Sequence, residues 1–580
     1  MWDAMDNFVR FVRGLVVRHM VRYVYVTLFA IVVLGFLLRW PLVTYNLPVT
    51  SRVDERTGLG ILYRFEQGSL NPEFFDWPTF YYYLTYSVTR PFIDDFQEII
   101  WYGRVVNLLL GCFLIVVVFL LARSSLGADE IGLIAALLVA SSPILIGNGS
   151  YIGTDILLTL LSLLALLFFT LFFKNLGRRY WFAGILVTGL AVSTKYTAAL
   201  VVVTYLLCEF FFLRRSAGLS NHWLERPFSP WWLSVGALVG GMLCLAFRFF
   251  FPLQFILSWV ERQGSINFVL DPRELEFIKS LWSKPLILGI LLVAVFFLSL
   301  RFKTFFSRFC YPRPYWGLAL ISLVFVLGSP FCLISWKRFL YDFCTVLKQN
   351  ALASDQRQYV HLLKLYLTSE STIALIFFTA GVYWLVKRKG FFTVPAIYLV
   401  IYYVYHGAAT RSFVRYWTPI LPVVFIISAC GIYFTASLFR RSKWGHKAFV
   451  LVALMLVGLE ISSNYSSTHY IAQMSEPDNM YASYYWVLDK EPSRIFYAGY
   501  IPDVELGIRG FDLQMIPTHW ITTGGRTLLQ KMRPDDVLMI DERLEAQMSA
   551  TLRQNLILEW SSDKEGHSNS QYIFRRQSSD

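Results

Sequence analysis

Charge is what this chain has least of. Only 16% of its 580 residues are Asp, Glu, Lys or Arg, while 56% are apolar. A water-soluble fold of this length needs more polar surface than that, so the composition excludes one. Also missing are CxxC pairs and Cys/His metal spacings. Cys112, Cys208, Cys244, Cys332 and Cys430 lie in apolar runs, Cys310 lies in a basic loop, and Cys344 has no evident mate, which excludes a disulfide framework. No small-residue cleavage site follows the basic, amphipathic "MWDAMDNFVRFVRGLVVRHMVRY". Residues 1–22 are therefore expected to be a cytoplasmic, interfacial lead-in to an uncleaved first helix. No solenoid period or low-complexity segment is present.

What the chain does have is a series of apolar runs near membrane length. The net charge of +13 fits this class without nucleic acid, because basic residues mark the cytoplasmic side and meet anionic headgroups. Arg10, Arg13, Arg18 and Arg22 put the N-terminus inside. Helices are then expected near 23–40, 103–122, 130–147 and 155–173, followed by two short ones that meet around Lys195 within 181–213. Further helices are expected near 231–250, 285–300, 316–334, 371–386, 391–405, 417–438 and 447–463. This path places "ARSSLGADE", "KNLGRRY", "RFKTFFSRFCYPRP", "KRKG" and "RRSKWGHK" inside, and a long first loop over 41–102 outside. From 464 to 580 the composition turns polar. "RIFYAG" and "DVLMID" read as buried strands, "ERLEAQMSATLRQN" as one amphipathic helix, and the tail as a last strand. The expected architecture is an all-α polytopic membrane protein of about 13 transmembrane helices with a small external C-terminal α/β domain.

The first loop reads "SRVDERTGLGILYRFEQGSLNPEFFDWPTFYYYL". Taken singly, its signals are weak. Acids such as Asp54 and Glu55 are more often solvated, Asp76 before Trp77-Pro78 suits a turn, and Asp155 suits the positive end of a helix. Convergence on the outer face makes them more specific. Arg411 and Arg415 in "HGAATRSFVRYWTPILP" stand outside against the positive-inside bias, which an external anion explains. Arg104 is either a snorkelling cation or a functional one. Lys195, at a break between half-helices, needs a partner. Arginine forks bind phosphate, and a nearby carboxylate can deprotonate a hydroxyl. Trp77, Tyr81 and Tyr82 suit sugar CH faces, although tyrosines also populate interfacial belts.

These segments resemble the GT-C glycosyltransferases, in particular family 39, the protein O-mannosyltransferases and lipid A aminoarabinose transferases. The likeness rests on "DE" opening the first loop, "GSLNPEFFDWPTFYYYL", "YGRVVNLLLG", "SYIGTDILLT", "GLAVSTKYTA" and "RSFVRYWTPILP", which span most of 20–440. The resemblance implies a GT-C domain over 23–463 that moves a sugar from a polyprenyl (undecaprenyl or dolichyl) monophosphate donor on the external leaflet, with inversion. It matches Asp54 to the general base, Glu55 to its companion and Asp155 to the second acidic position. Arg104, Lys195 and Arg415 match basic positions, some of which contact the donor phosphate, and Arg411 stands beside them. Asp76 takes the acidic place before the loop proline, with Trp77, Tyr81 and Tyr82 toward sugar or acceptor. Some relatives hold a divalent cation here; Glu55, Asp76 and His406 are the candidate ligands, for Mg²⁺ or Mn²⁺. The expected partners are the lipid-linked donor, membrane lipids and a lipid, glycan or protein acceptor, in the bacterial inner (plasma) membrane.

Trp77-Pro78-Thr79 stands where aminoarabinose transferases have Lys-Pro-Pro, which argues against lipid A as acceptor. Two other classes compete. A secondary transporter would place charge near the midplane on repeated broken helices, and only the Lys195 break fits that. A polysaccharide polymerase or ligase would take a lipid diphosphate, and the acids directly after the first helix suit it less well.

Overall fold

A computed structural model describes residues 2–50, 52–174, 177–212, 239, 242, 291, 312–351, 359–369, 373–388, 392–408, 413–441, 445–466, 479–498, 502–509, 511–523, 525–561 and 571–576. The expected helices near 231–250 and 285–300, Cys244, Cys310 and Arg411 lie outside the described residues.

Helix α1 runs over Trp2–Val43, so the amphipathic lead-in and the apolar segment Tyr23–Val43 form one helix. After α2 (Val53–Glu66) and α3 (Phe80–Thr89) comes α4 (Ile99–Leu126), and then α5 (Asp129–Ser141) and α6 (Pro143–Asn148). These are followed by α7 (Thr154–Phe173), α8 (Arg178–Val192) and α9 (Ala199–Leu207). Three described helices are long and apolar enough to cross a membrane: Tyr23–Val43, Ile99–Leu126 and Thr154–Phe173. Shorter apolar helices include Pro312–Gly328 and Leu421–Ser437. α4 packs against α1, α5 and α7, and α7 packs against α8. The helices Ile373–Arg388 and Leu421–Ser437 touch most closely where Gly381 meets the Ile427 carbonyl and Gly431 meets that of Phe377. A side chain at either glycine would force the backbones apart, as at small-residue contacts between membrane helices.

Three expectations about the chain before residue 464 change. The first loop is largely helical. Asp54 and Glu55 occupy the first turn of α2, and Leu59, Leu62 and Phe65 recur at helical spacing as its buried face. Gly58 and Gly60 conceal that face in a propensity reading. The helix expected over 130–147 is broken at Pro143. Proline has no N–H for the Val139 carbonyl, and the buried Arg39 donates to that oxygen at 3.2 Å and to the Ala140 oxygen at 3.0 Å instead. The segment before residue 370, expected to be a loop, contains the helices Trp336–Ala351 and Tyr359–Ser369.

Beyond the helix Gly445–Ser466 a five-stranded sheet has the spatial order Leu513–Met515, Arg494–Ala498, Asp536–Asp541, Gln571–Arg576, Leu556–Ser561. Its strands are β1 (Arg494–Ala498), β2 (Leu513–Met515), β3 (Asp536–Asp541), β4 (Leu556–Ser561) and β5 (Gln571–Arg576). β1 pairs in parallel with β2 and β3, whereas β5 pairs antiparallel with β3 and β4. Every residue of β3 is buried, as expected of a central strand covered on both faces. The single helix expected over 542–555 is two, Glu542–Ala546 and Ala550–Asn555. Asp541 caps the first, and the Ser549 N–H donates to the Ile521 carbonyl at 2.9 Å, which draws the chain out of helical register.

Candidate functional site at one end of the helix bundle

The end of α1, the starts of α2, α4 and α7, and the break after α8 meet at one end of the bundle. The end of α1 brings the Val43 carbonyl, and each of the others brings a charged side chain. Asp54, in the first turn of α2, pairs with Arg415, which lies in the 3-10 turn Val414–Trp417 just before the helix Leu421–Ser437. Glu55, the next residue, faces the other way. It holds Arg104 of α4 through two parallel bonds of 2.8 Å, with both side chains fully buried. Such a fork fits carboxylate and guanidinium geometry. Arg104 also donates to the carbonyls of Val43 and Tyr45, and Glu55 accepts the Ile152 N–H at 3.0 Å. The pair thus ties the ends of α1, α2, α4 and the loop before α7 together.

Asp155 opens α7 and binds Lys195 at 2.6 Å. Lys195 lies in extended backbone at the expected break between two short helices. There the Ser193 and Thr194 hydroxyls bond back to the carbonyls of Gly189 and Leu190, competing with the helix's own N–H groups. Asp155, Lys195 and Arg52 all lie close enough to act on Asp54. Burial pushes the Asp54 carboxyl above the usual carboxylate range, Arg415 opposes this, Asp155 adds to it, and Lys195 and Arg52 also oppose it.

Other candidates sit differently. Tyr81 and Tyr82, expected to offer open faces to a sugar, are buried, and Tyr81 accepts the Gly153 N–H through its hydroxyl oxygen at 3.0 Å. Trp77 is half-buried against Phe74. Asp76 stands apart from Asp54, near Asp342, Arg338 and Tyr196. Its carboxyl is pushed up by burial and then by Asp342, against Arg338. Arg104, expected at the donor phosphate, is committed to Glu55. The metal ligands suggested by the resemblance do not converge: among the described residues no group of three His, Cys, Asp or Glu can hold a metal ion. Glu55 in particular has both oxygens on Arg104. Glu55, Asp76 and His406 as a set do not fit the cation among the described residues.

His406 comes to the site as a buried ring near Asp155 and Lys195. It is 4% exposed and stacks on Tyr402 at 4.4 Å and on Tyr416 at 5.0 Å, and neither ring nitrogen has a hydrogen-bond partner among the described residues. Two contributors escaped the sequence reading. Arg39 supports the corner at Pro143 and packs under Gly149, and Asn107 donates to the Gly153 carbonyl at 3.2 Å. A basic residue inside the first apolar run was the available signal for Arg39.

Residues 83–239 match the sequence model of the family described as dolichyl-phosphate-mannose-protein mannosyltransferase. No curated protein matches the chain. Among solved structures, the oligosaccharyltransferase AglB of Archaeoglobus fulgidus, in complex with an inhibitory peptide and a dolichol-phosphate, is similar at TM-score 0.51 and 15% identity. That match covers 90% of this chain and 70% of that one. ArnT of Cupriavidus metallidurans bound to undecaprenyl phosphate matches at TM-score 0.52 and 12% identity, over 95% of this chain and 98% of that one. The Archaeoglobus enzyme in complex with Zn and sulfate matches at TM-score 0.50 and 13% identity, over 94% and 72%. The segment match and the fold agree with the resemblance carried by the motifs: the chain is an integral membrane protein with the fold of the GT-C glycosyltransferases.

Proposed function

We propose that the chain transfers a sugar from a polyprenyl monophosphate to an acceptor hydroxyl or phosphate at the external leaflet, with inversion and with Asp54 as the base. The observation that carries this reading is the pairing of Asp54 with Arg415 beside the Asp155–Lys195 pair. Two carboxylates and two cations within electrostatic reach suit a reaction that takes up one proton and releases one phosphate. The Arg415 and Lys195 cations exchange their carboxylates for the donor phosphate, which frees Asp54. The acceptor oxygen attacks the anomeric carbon as its proton passes to Asp54. The bond from that carbon to the phosphate oxygen breaks, and the polyprenyl phosphate leaves against the two cations. No covalent enzyme intermediate forms, because one base opposite the leaving group suffices. Neighbours of the same fold are solved with dolichol-phosphate and undecaprenyl phosphate, which supports the donor class. The bundle end that bears the site is the external one in this reading, and residues 464–580 share its side.

The deciding experiment offers the purified protein polyprenyl monophosphate sugars and the corresponding diphosphates, with membrane extract as acceptor. Turnover of a monophosphate sugar with an inverted anomeric centre supports the reading. Use of diphosphates alone, or retention of configuration, refutes it.

A further inference from the structure

The first turn of α2 is fixed from below by Arg104 and Glu55. The linker just ahead of it is fixed by a residue far away in sequence. Glu505, in the short helix Asp503–Ile508 between β1 and β2, is 2% exposed. One of its carboxyl oxygens accepts the Thr50 N–H at 2.9 Å and also the Thr50 hydroxyl, across 455 positions. Its other oxygen has no hydrogen-bond partner among the described residues. Val49, next to Thr50, is fully buried among Tyr484, Val487, Leu506 and Met539 of the sheet domain. In the other direction, Val504 and Ile508 pack onto the cluster that includes Leu59, Leu62 and Phe65, the buried face of α2. The short helix therefore grips both the linker and the helix that follows it.

A carboxylate is a costly group to bury for packing alone. Its carboxylate bonds out of the sheet domain, to the residue four places ahead of Asp54. We infer that Glu505 is a positioning residue for Asp54: through Thr50 the C-terminal domain sets where α2 starts, and so where the Asp54 carboxylate sits relative to Arg415. This rests on the function proposed above. It makes the sheet domain part of the site, although none of its described residues bonds to Asp54, Arg415, Asp155 or Lys195. The charged group that faces Glu505 from α2 is Arg56.

The test uses the full chain in lipid nanodiscs with Glu505→Leu, Glu505→Gln, Thr50→Val and the Glu505→Leu/Thr50→Val pair. Glu505→Gln keeps the accepting oxygen. Hydrogen exchange at the amides of residues 49–58, with no ligand added, is expected to quicken in Glu505→Leu and to stay at the wild-type rate in Glu505→Gln. With a polyprenyl monophosphate sugar, Glu505→Leu is expected to lower kcat by roughly a hundredfold, the cost of a small displacement of a reacting group. KM for the donor should hold, and Glu505→Gln should restore kcat. Adding Thr50→Val to Glu505→Leu should cost nothing more. The inference is overturned if exchange is unchanged in Glu505→Leu, if Glu505→Gln loses as much as Glu505→Leu, or if the loss appears in KM alone. Should the wild type turn over no lipid-linked sugar, the proposed function falls, and the exchange data still decide whether Glu505 holds the start of α2.

Discussion

Asp54 and Arg415 stand 361 positions apart in the chain and form one ion pair, with Asp155 and Lys195 paired beside them. The two pairs answer different needs from the neighbouring Arg104–Glu55 pair. Asp54, Arg415 and Lys195 are partly exposed and Asp155 is buried beside them, whereas Arg104 and Glu55 are sealed from solvent.

Asp54→Asn keeps the shape of the side chain and removes the proposed base. Sugar transfer is expected to fall by about a thousandfold, while the variant inserts and melts like the wild type. Near-normal turnover in a donor-hydrolysis or transfer assay would take Asp54 out of the mechanism.

The pH profile should follow the raised carboxyl of Asp54. As the proposed base the group must be ionised to act, so the acid limb of kcat/KM is expected above the ordinary carboxylate range. Arg415→Gln removes the main opposing cation and should move that limb further up. Lys195→Met and Arg52→Gln act in the same direction, and Asp155→Asn in the opposite one. The stability linked to Asp54 has a fixed sign as well. A raised carboxyl contributes fully below its unfolded value, and that contribution is lost as the pH rises through the folded one. An acid limb unmoved by Arg415→Gln would separate the two residues functionally.

Breaking the Arg104–Glu55 fork leaves one buried charge without its partner. Arg104→Met or Glu55→Gln alone should cost about 3–5 kcal/mol in thermal unfolding in detergent. The two changes together should cost less than the sum of the singles. Strict additivity would show that the fork does not couple the residues.

Much of the helical frame was legible in the sequence, because apolar runs and basic clusters register locally the cost of placing polar groups in lipid. The break at Lys195 was visible for the same reason: a lysine interrupting an apolar run needs an exit or a partner. Helix α2 was not visible, since its glycines argue against a helix and its stability comes from packing Leu59, Leu62 and Phe65 onto other segments. The carboxylates and arginines were identifiable as residue types of the right chemistry. Their environments were not, because Arg104 and Arg415 look alike until the fold seals the first from solvent and leaves the second partly exposed.

By itself the sequence determined the class of the protein, the rough places of its helices and the strands β1, β3 and β5, all of which follow from hydrophobic periodicity over short spans. Only the tertiary structure decided which acid meets which base, that Glu55 is sealed while Asp54 is not, and that Glu505 reaches back to Thr50. Those outcomes depend on contacts between segments tens to hundreds of residues apart, whose energies are set by burial and geometry that no local pattern encodes.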